Sequence, residues 1–286
     1  MQSFETIDRL DDILDQADAF LLDQFGTLHD GVSLYPAVPA AMARLRAAGK
    51  RIVILSNSGK RAAPNMARLA GIGLPPESYD AFLTSGEVAW KLLAEGRLPA
   101  LSRARRCLVL SRGEDREALS GLDLERTENA AEADFVLLLG SEADRIGLAA
   151  YRDRLAPAAR RGILCICGNP DRLMVLGDGG LAPAPGRIAE LYAEMGGEVL
   201  WIGKPESTIY DAAFALLAPW LGDGFDRGRI WAVGDSLEHD AAGAAGQGCR
   251  SLLLRTGIMA GRSTAELEAE MARCGVVPDA VLAAFA

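Results

Sequence analysis

Eight short apolar runs, most of them followed by a polar turn and a segment with helical spacing, constrain this chain more than any other feature. They are residues 19–23, 51–55, 107–110, 134–139, 163–167, 198–202, 229–233 and 250–254. Continuous apolarity over so few residues suits strands covered on both faces, as parallel strands are. Between the runs, Pro39 to Ala48, Ala62 to Leu69, Glu87 to Leu93, Arg187 to Met195 and Thr208 to Leu216 place apolar side chains at helical intervals, and 264–273 reads as a charged amphipathic helix. Alternation of this kind is the sequence form of an α/β fold wound on both faces of a parallel sheet.

The 286 residues leave room for two domains, since single cores rarely grow past roughly 250 to 300 residues. Two turn-rich segments divide the chain, Gly96-Arg97-Leu98-Pro99 and the glycine- and proline-dense run from Leu176 to Gly186. The part between them has its own strand and helix pattern. We therefore read residues 98–185 as an inserted α/β domain, with 1–97 and 186–286 forming one discontinuous core, and expect both crossings to act as hinges that close the insert over the crevice.

Composition removes several classes of function. Thirty Lys and Arg against thirty-nine Asp and Glu leave a net charge of −9, the wrong sign for neutralising nucleic-acid phosphates. A small phosphate ester stays compatible, because a local cation and oriented amides can outweigh the global field within a cleft. No apolar stretch approaches the ~20 residues of a membrane helix, and the acidic start, Met-Gln-Ser-Phe-Glu-Thr, lacks the basic and apolar regions of a signal peptide. A soluble, cytoplasmic protein is expected. Cys107, Cys165, Cys167, Cys249 and Cys274 follow no framework spacing and read as reduced thiols, buried except for Cys274. Cys165 and Cys167 would share one face of a strand without a second pair to complete a metal site.

Four apolar runs end in residues that could work together. Asp23 follows Ala-Phe-Leu-Leu and opens Asp-Gln-Phe-Gly-Thr-Leu; Ser56-Asn57-Ser58 follows Arg-Ile-Val-Ile-Leu; Lys204 follows Val-Leu-Trp-Ile-Gly; Gly234-Asp235 through Asp240 follows Arg-Ile-Trp-Ala-Val. In a parallel sheet the carboxyl ends converge on one edge, where α/β proteins bind ligands. Taken singly each residue is ordinary: Ser, Asn and Asp past a strand are common turn and cap residues, and Lys204 alone reads as a solvated surface lysine. Together they supply a carboxylate nucleophile, a hydroxyl, an ammonium and two further carboxylates, an inventory suited to phosphoryl transfer. Three carboxylates would repel a phosphate unless they held a hard cation such as Mg²⁺.

In this order the motifs resemble the haloacid dehalogenase superfamily: Asp23-x-x-Gly26-Thr27 as motif one, Ser56 as motif two, Lys204 as motif three, and Gly234-Asp235 through Asp240 as motif four. Asn169-Pro170-Asp171, the run Pro185-Gly-x-Ile-Ala, and Gly203-Lys204-Pro205 followed by Ile209-Tyr210 resemble its subclass IIA, the NagD-like and 4-nitrophenyl phosphatase-like members with a type-2 α/β cap. The resemblance implies a Rossmannoid core. It implies Asp23 as nucleophile and Mg²⁺ ligand, Asp235 as second ligand, Asp240 supporting a metal-bound water, and the backbone carbonyl of Phe25 as a further ligand. Ser56 and Lys204 would hold the phosphoryl group, aided by the amides of Asn57, beside Ser58, and of the turn Gln24, Phe25, Gly26 and Thr27. Asn169 and Asp171 are read equally well as a substrate-facing loop and as a plain turn.

Phe25 departs from the pattern, since phosphatases of this type place there an aspartate that protonates the leaving oxygen. An aromatic at that place resembles the L-2-haloacid dehalogenases, which lack the paired acids represented here by Asp235 and Asp240. His29, Asp30, Glu238 and His239 are near enough in sequence to be substitutes, though each reads more simply as a solvated loop residue, while Phe25 itself reads as packing beneath the cap. Trp90, Trp201, Trp220 and Trp231 read as core. The expected function is a Mg²⁺-dependent hydrolase of small phosphate monoesters working through an aspartyl-phosphate. A haloacid-dehalogenase-type hydrolase and a weakly active phosphate-ligand binder are the alternatives. Oligomeric state is left open, a homodimer included.

Overall fold

A computed structural model describes residues 4–176 and 180–286. In chain order its strands are β1 (Glu5–Thr6), β2 (Ala19–Leu22), β3 (Arg51–Ser56), β4 (Ala81–Thr84), β5 (Arg106–Leu110), β6 (Glu125–Thr127) and β7 (Phe135–Leu138). They continue with β8 (Leu164–Cys167), β9 (Leu173–Val175), β10 (Leu181–Pro183), β11 (Glu198–Trp201), β12 (Ile230–Gly234), β13 (Arg250–Leu254) and β14 (Ala280–Leu282). The α-helices are α1 (Val38–Ala47), α2 (Ala62–Gly71), α3 (Ser85–Ala94), α4 (Ala143–Arg160), α5 (Pro185–Glu194), α6 (Ser207–Leu221), α7 (Ala242–Gly246) and α8 (Thr264–Cys274). Among the described residues no helix is long and apolar enough to cross a membrane.

The chain divides into two compact units, residues 1–56, 63–83 and 204–286 in the first, and 57–62 and 84–203 in the second. The turn-rich segments at 96–99 and 176–186 both lie in the second unit, whose span is wider than 98–185. Of the second segment, 177–179 lie outside the described residues, and its remainder carries β10 and the start of α5.

The first unit holds a seven-stranded sheet in the order β1-β14-β13-β12-β2-β3-β4. Pairings of β12 with β2, β2 with β3 and β12 with β13 are parallel. All four residues of β2 are buried, as are the last five of β3 and all of β12, which is why these runs show no alternation. Helix α8 begins with a reciprocal cap between Ser263 and Glu266 and stops at Gly275, which takes the left-handed conformation (φ 66°). Its Leu267 and Met271 pack on Leu237, Leu253, Met259 and Val281.

The second unit holds a five-stranded sheet, β11-β8-β7-β5-β6, parallel throughout, and the antiparallel pair β9-β10. Leu108, Val136, Cys165, Leu155, Ile188 and Tyr192 belong to its core. Helix α4 was not expected from the sequence. Gly147 breaks it with φ 75° and Pro157 lies inside it, so its apolar period is interrupted twice. The short strands β1, β4, β6, β9, β10 and β14 were likewise missed, each only two to four residues long.

Candidate active site

Three neighbouring strands of the first unit deliver Asp23, Ser56 and Asp235, whereas the run 198–202 before Lys204 is β11 of the five-stranded sheet, so the four runs do not all end on one sheet edge as expected. In register, Leu22 of β2 lies beside Val233 of β12 and Ile54 of β3. One residue further, Asp23 N donates to Val233 O at 2.9 Å, so Asp23 and Asp235 leave the sheet from adjacent strands. Ser56 closes β3. Asp240 stands on the turn Leu237–Ala241, capped by the Ser236 hydroxyl, which accepts from His239 N. Lys204 precedes α6 and is joined to Pro205 by a cis peptide bond.

These residues meet. Lys204 Nζ donates to Asp23 Oδ1 at 2.7 Å and to Asp240 Oδ1 at 2.6 Å, with Lys204 only 2% exposed, so the reading of an isolated surface lysine does not hold. Asp23, Asp235 and Asp240 each offer a carboxylate oxygen to a cluster whose atoms lie within 4.8 Å of one another. Asp235 Oδ2 accepts from Ile258 N at 2.7 Å, and Asp240 Oδ2 from Ser236 N at 3.1 Å.

Glycines make the space for them. A Cβ on Gly26 would lie 2.0 Å from Asp235 Oδ2, and one on Gly257 1.8 Å from the same atom; Gly26 also has φ +80°. A Cβ on Gly234 would meet Asp240 Cγ at 2.0 Å. Close approach, and not only turn conformation, therefore explains glycine at these positions.

Electrostatically the cluster is unbalanced, three carboxylates against one ammonium. Burial, followed by the charges of Asp23 and Asp240, pushes the Asp235 carboxyl up to about 8. Burial works against charge on Lys204, but Asp23 and Asp240 hold its ammonium above the ordinary range, so it stays protonated. The uncompensated negative charge and all-oxygen donor set fit a hard divalent cation bound among Asp23, Asp235 and Asp240.

The segment after Asp23 folds back on itself. Leu28 N and His29 N both donate to Gln24 O, and Gly26 N donates to His29 O. Gln24 Nε2 donates to Ser56 Oγ at 2.5 Å, both residues buried. Thr27 is buried, while Phe25 is 47% exposed and stands edge-on to His29 with ring centroids 5.4 Å apart. His29 is not the solvated residue expected. It is fully buried, its Nδ1 accepts from Gly31 N at 2.9 Å, and burial lowers its pKa to about 4, keeping the ring neutral. Asp30 caps its own turn through Val32 N and Ser33 N. Glu238 lies near Arg273, and His239 Nδ1 sits 3.2 Å from Lys204 O, both half-buried.

Asn57, Ser58, Asn169 and Asp171 belong to the second unit. There Asn57 Nδ2 donates to Asp171 Oδ1 at 2.9 Å, Asp171 N donates to Asn169 Oδ1 at 3.0 Å, and Ser58 Oγ accepts from Lys60 N. Trp231 is core as expected, but Trp90 and Trp201 are half-buried and Trp220 is exposed. Sequence reasoning missed the contribution of β13: past its end Thr256 Oγ1 donates to Gly26 O at 2.5 Å, and Gly257 and Ile258 wrap Asp235. Its signal was available, a Thr-Gly pair directly beyond an apolar run at 250–254. Tyr210 was noted but given no role. Its buried hydroxyl has no hydrogen-bond partner among the described residues.

Comparison with known proteins places this arrangement. A haloacid dehalogenase-like hydrolase model matches residues 20–125, and a second, HAD-hydrolase-like model matches 201–284. A crystal structure of a haloacid dehalogenase-like hydrolase from Brucella suis 1330 is 30% identical and superposes with a TM-score of 0.82, over 97% of this chain and 99% of that one. A 4-nitrophenylphosphatase from Thermotoga maritima is 26% identical with a TM-score of 0.73, covering 96% of each chain. Human chronophin is 28% identical over 258 residues, 87% of this chain and 84% of that protein. The chain belongs to the haloacid dehalogenase-like hydrolases.

Proposed function

We propose that this protein is a phosphatase of small phosphate monoesters that works through an aspartyl-phosphate on Asp23 and uses Mg²⁺. The observation that carries the reading is the Lys204 ammonium shared between Asp23 and Asp240, with Asp235 completing the acidic cluster. A dehalogenase would have no use for such a cluster, and a named 4-nitrophenylphosphatase is among the similar structures.

Asp23 attacks phosphorus from the side opposite the ester oxygen, forming an acyl phosphate as the bond to the leaving oxygen breaks. Water then attacks the same phosphorus, the bond to Asp23 breaks, and inorganic phosphate leaves. Lys204 orients the nucleophilic carboxylate and offsets charge on the phosphoryl group, and the Ser56 hydroxyl supports a phosphoryl oxygen. Asp23, Asp235 and the carbonyl of residue 25 would hold Mg²⁺, with Asp240 supporting a bound water, and the ion would supply the charge neutralisation that lets an anionic ester approach three carboxylates.

Phe25 favours one second reading, a phosphate-ligand binder of low turnover, because no carboxylate stands two residues after the nucleophile. The test is phosphate release from an aryl phosphate, sugar phosphates, nucleotides and pyridoxal phosphate, with Mg²⁺ and with chelator. Release with Mg²⁺ that chelator stops and added Mg²⁺ restores is expected. Tight ligand binding with no release from any ester would establish the second reading instead.

A further inference from the structure

We propose that Gln24 is a positioning residue: by donating to Ser56 Oγ it fixes the direction of the Ser56 hydroxyl, so that Ser56 presents its proton to a phosphoryl oxygen. The inference rests on the phosphatase reading above and deepens it by one residue.

The geometry follows from register. β2 and β3 run parallel with Leu22 beside Ile54, and carrying that pairing two residues further brings position 24 to position 56. The backbone of Gln24 is tied down locally, its carbonyl accepting from Leu28 N at 2.9 Å and His29 N at 3.2 Å. From this fixed base the side chain reaches Ser56 at 2.5 Å, with the two residues 7% and 2% exposed.

A serine hydroxyl has one proton and two lone pairs, whereas an amide NH₂ only donates. Gln24 therefore occupies a lone pair of Ser56, and the Ser56 proton must point away from Gln24 Nε2. That is the orientation an anionic phosphoryl oxygen requires, since it accepts and cannot donate. A carboxylate at position 24 would do the reverse, drawing the Ser56 proton to itself and adding a fourth negative charge to the three already present. A neutral amide donor suits this place for both reasons.

A double-mutant cycle on the full chain with Mg²⁺ tests it, using Gln24→Met, Gln24→Glu and Ser56→Ala. The readouts are kcat and KM for 4-nitrophenyl phosphate and the inhibition constant of inorganic phosphate. With Ser56 present, Gln24→Met should lower kcat/KM by about tenfold and weaken inorganic phosphate by a similar factor. In the Ser56→Ala background the same change should cost no more than about twofold. Gln24→Glu should fall below Gln24→Met in both backgrounds because of its added charge, but by a larger factor where Ser56 is present, and this isosteric variant supplies the cycle if Gln24→Met does not fold. Equal losses in both backgrounds would make Gln24 merely structural and overturn the proposal, as would no loss at all. Wild-type kinetics in Ser56→Ala alone would instead sink the role given to Ser56, and the inference with it.

Discussion

Both units are built on parallel sheets with buried apolar strands, yet their carboxyl ends carry different chemistry. In the first, β2 and β12 run directly into Asp23 and Asp235, and β3 closes on Ser56. In the second, β5, β7 and β8 are followed by Ser111, Leu139 and Gly168, and the strands bury Cys107, Cys165 and Cys167. Burial pushes these thiols upward, Cys167 to about 12, so they are neutral packing groups. Strand interiors decide the architecture in both sheets, and the residues at and just beyond the strand ends decide whether an edge can do chemistry. A buried charge persists only where partners are supplied, and the first unit supplies Lys204, the amides of Ser236 and Ile258, and glycines that make room.

The contrast can be broken by substitution, and the largest effect should come from the nucleophile. Asp23→Asn is nearly isosteric but cannot attack phosphorus, and turnover should fall by ~10³-fold or more with the fold intact by circular dichroism. Asp235→Asn should lose activity through metal affinity and recover in part at raised Mg²⁺, where Asp23→Asn does not. Recovery of both, or of neither, would erase the distinction drawn between the two carboxylates.

A smaller, selective effect is expected at Phe25. General acid catalysis contributes typically ~10² to 10⁴ in rate and matters most for poor leaving groups. Wild type should favour aryl over alkyl phosphates more than a phosphatase carrying an aspartate there. Phe25→Asp should raise the alkyl rate more than the aryl rate. An unchanged alkyl-to-aryl ratio, with alkyl esters already cleaved well by wild type, would assign the proton to another residue.

In the second unit the effect should be smallest and of another kind. Cys165→Ala leaves a small cavity in the five-stranded sheet and should cost about 1 kcal/mol of stability, read as a lower Tm, with kcat within about twofold of wild type. A large drop in kcat at unchanged Tm would mean that this sheet is not the inert partner in the comparison.

Much of the fold was legible because its long strands are buried on both faces. The eight apolar runs coincide with β2, β3, β5, β7, β8, β11, β12 and β13 to within about one residue at either end. Edge and hairpin strands such as β1, β6 and β9 escaped because two or three residues, mostly exposed, leave no periodic signal. Helix α4 escaped because Gly147 and Pro157 interrupt its pattern. At the site, Asp23, Ser56 and Asp235 were legible at the ends of strands of one sheet, Asp240 in the turn that follows β12, and Lys204 past a run that proved to be β11 of the other sheet. The Gln24–Ser56 hydrogen bond and the loop of Gly257 around Asp235 were not, since both depend on which strands become neighbours and on side-chain reach. The burial of His29 was also hidden, a polar residue in a glycine-containing loop that turns inward beneath Phe25.

The central claim is that Asp23 carries the phosphoryl group, and chemical trapping tests it most directly. Protein mixed with radiolabelled 4-nitrophenyl phosphate and Mg²⁺, then acid-quenched within the first turnovers, should retain acid-stable, alkali-labile label that peptide mapping assigns to position 23. The Asp23→Asn protein should retain none. Steady turnover with no label at any quench time, or label kept in Asp23→Asn, would contradict the account.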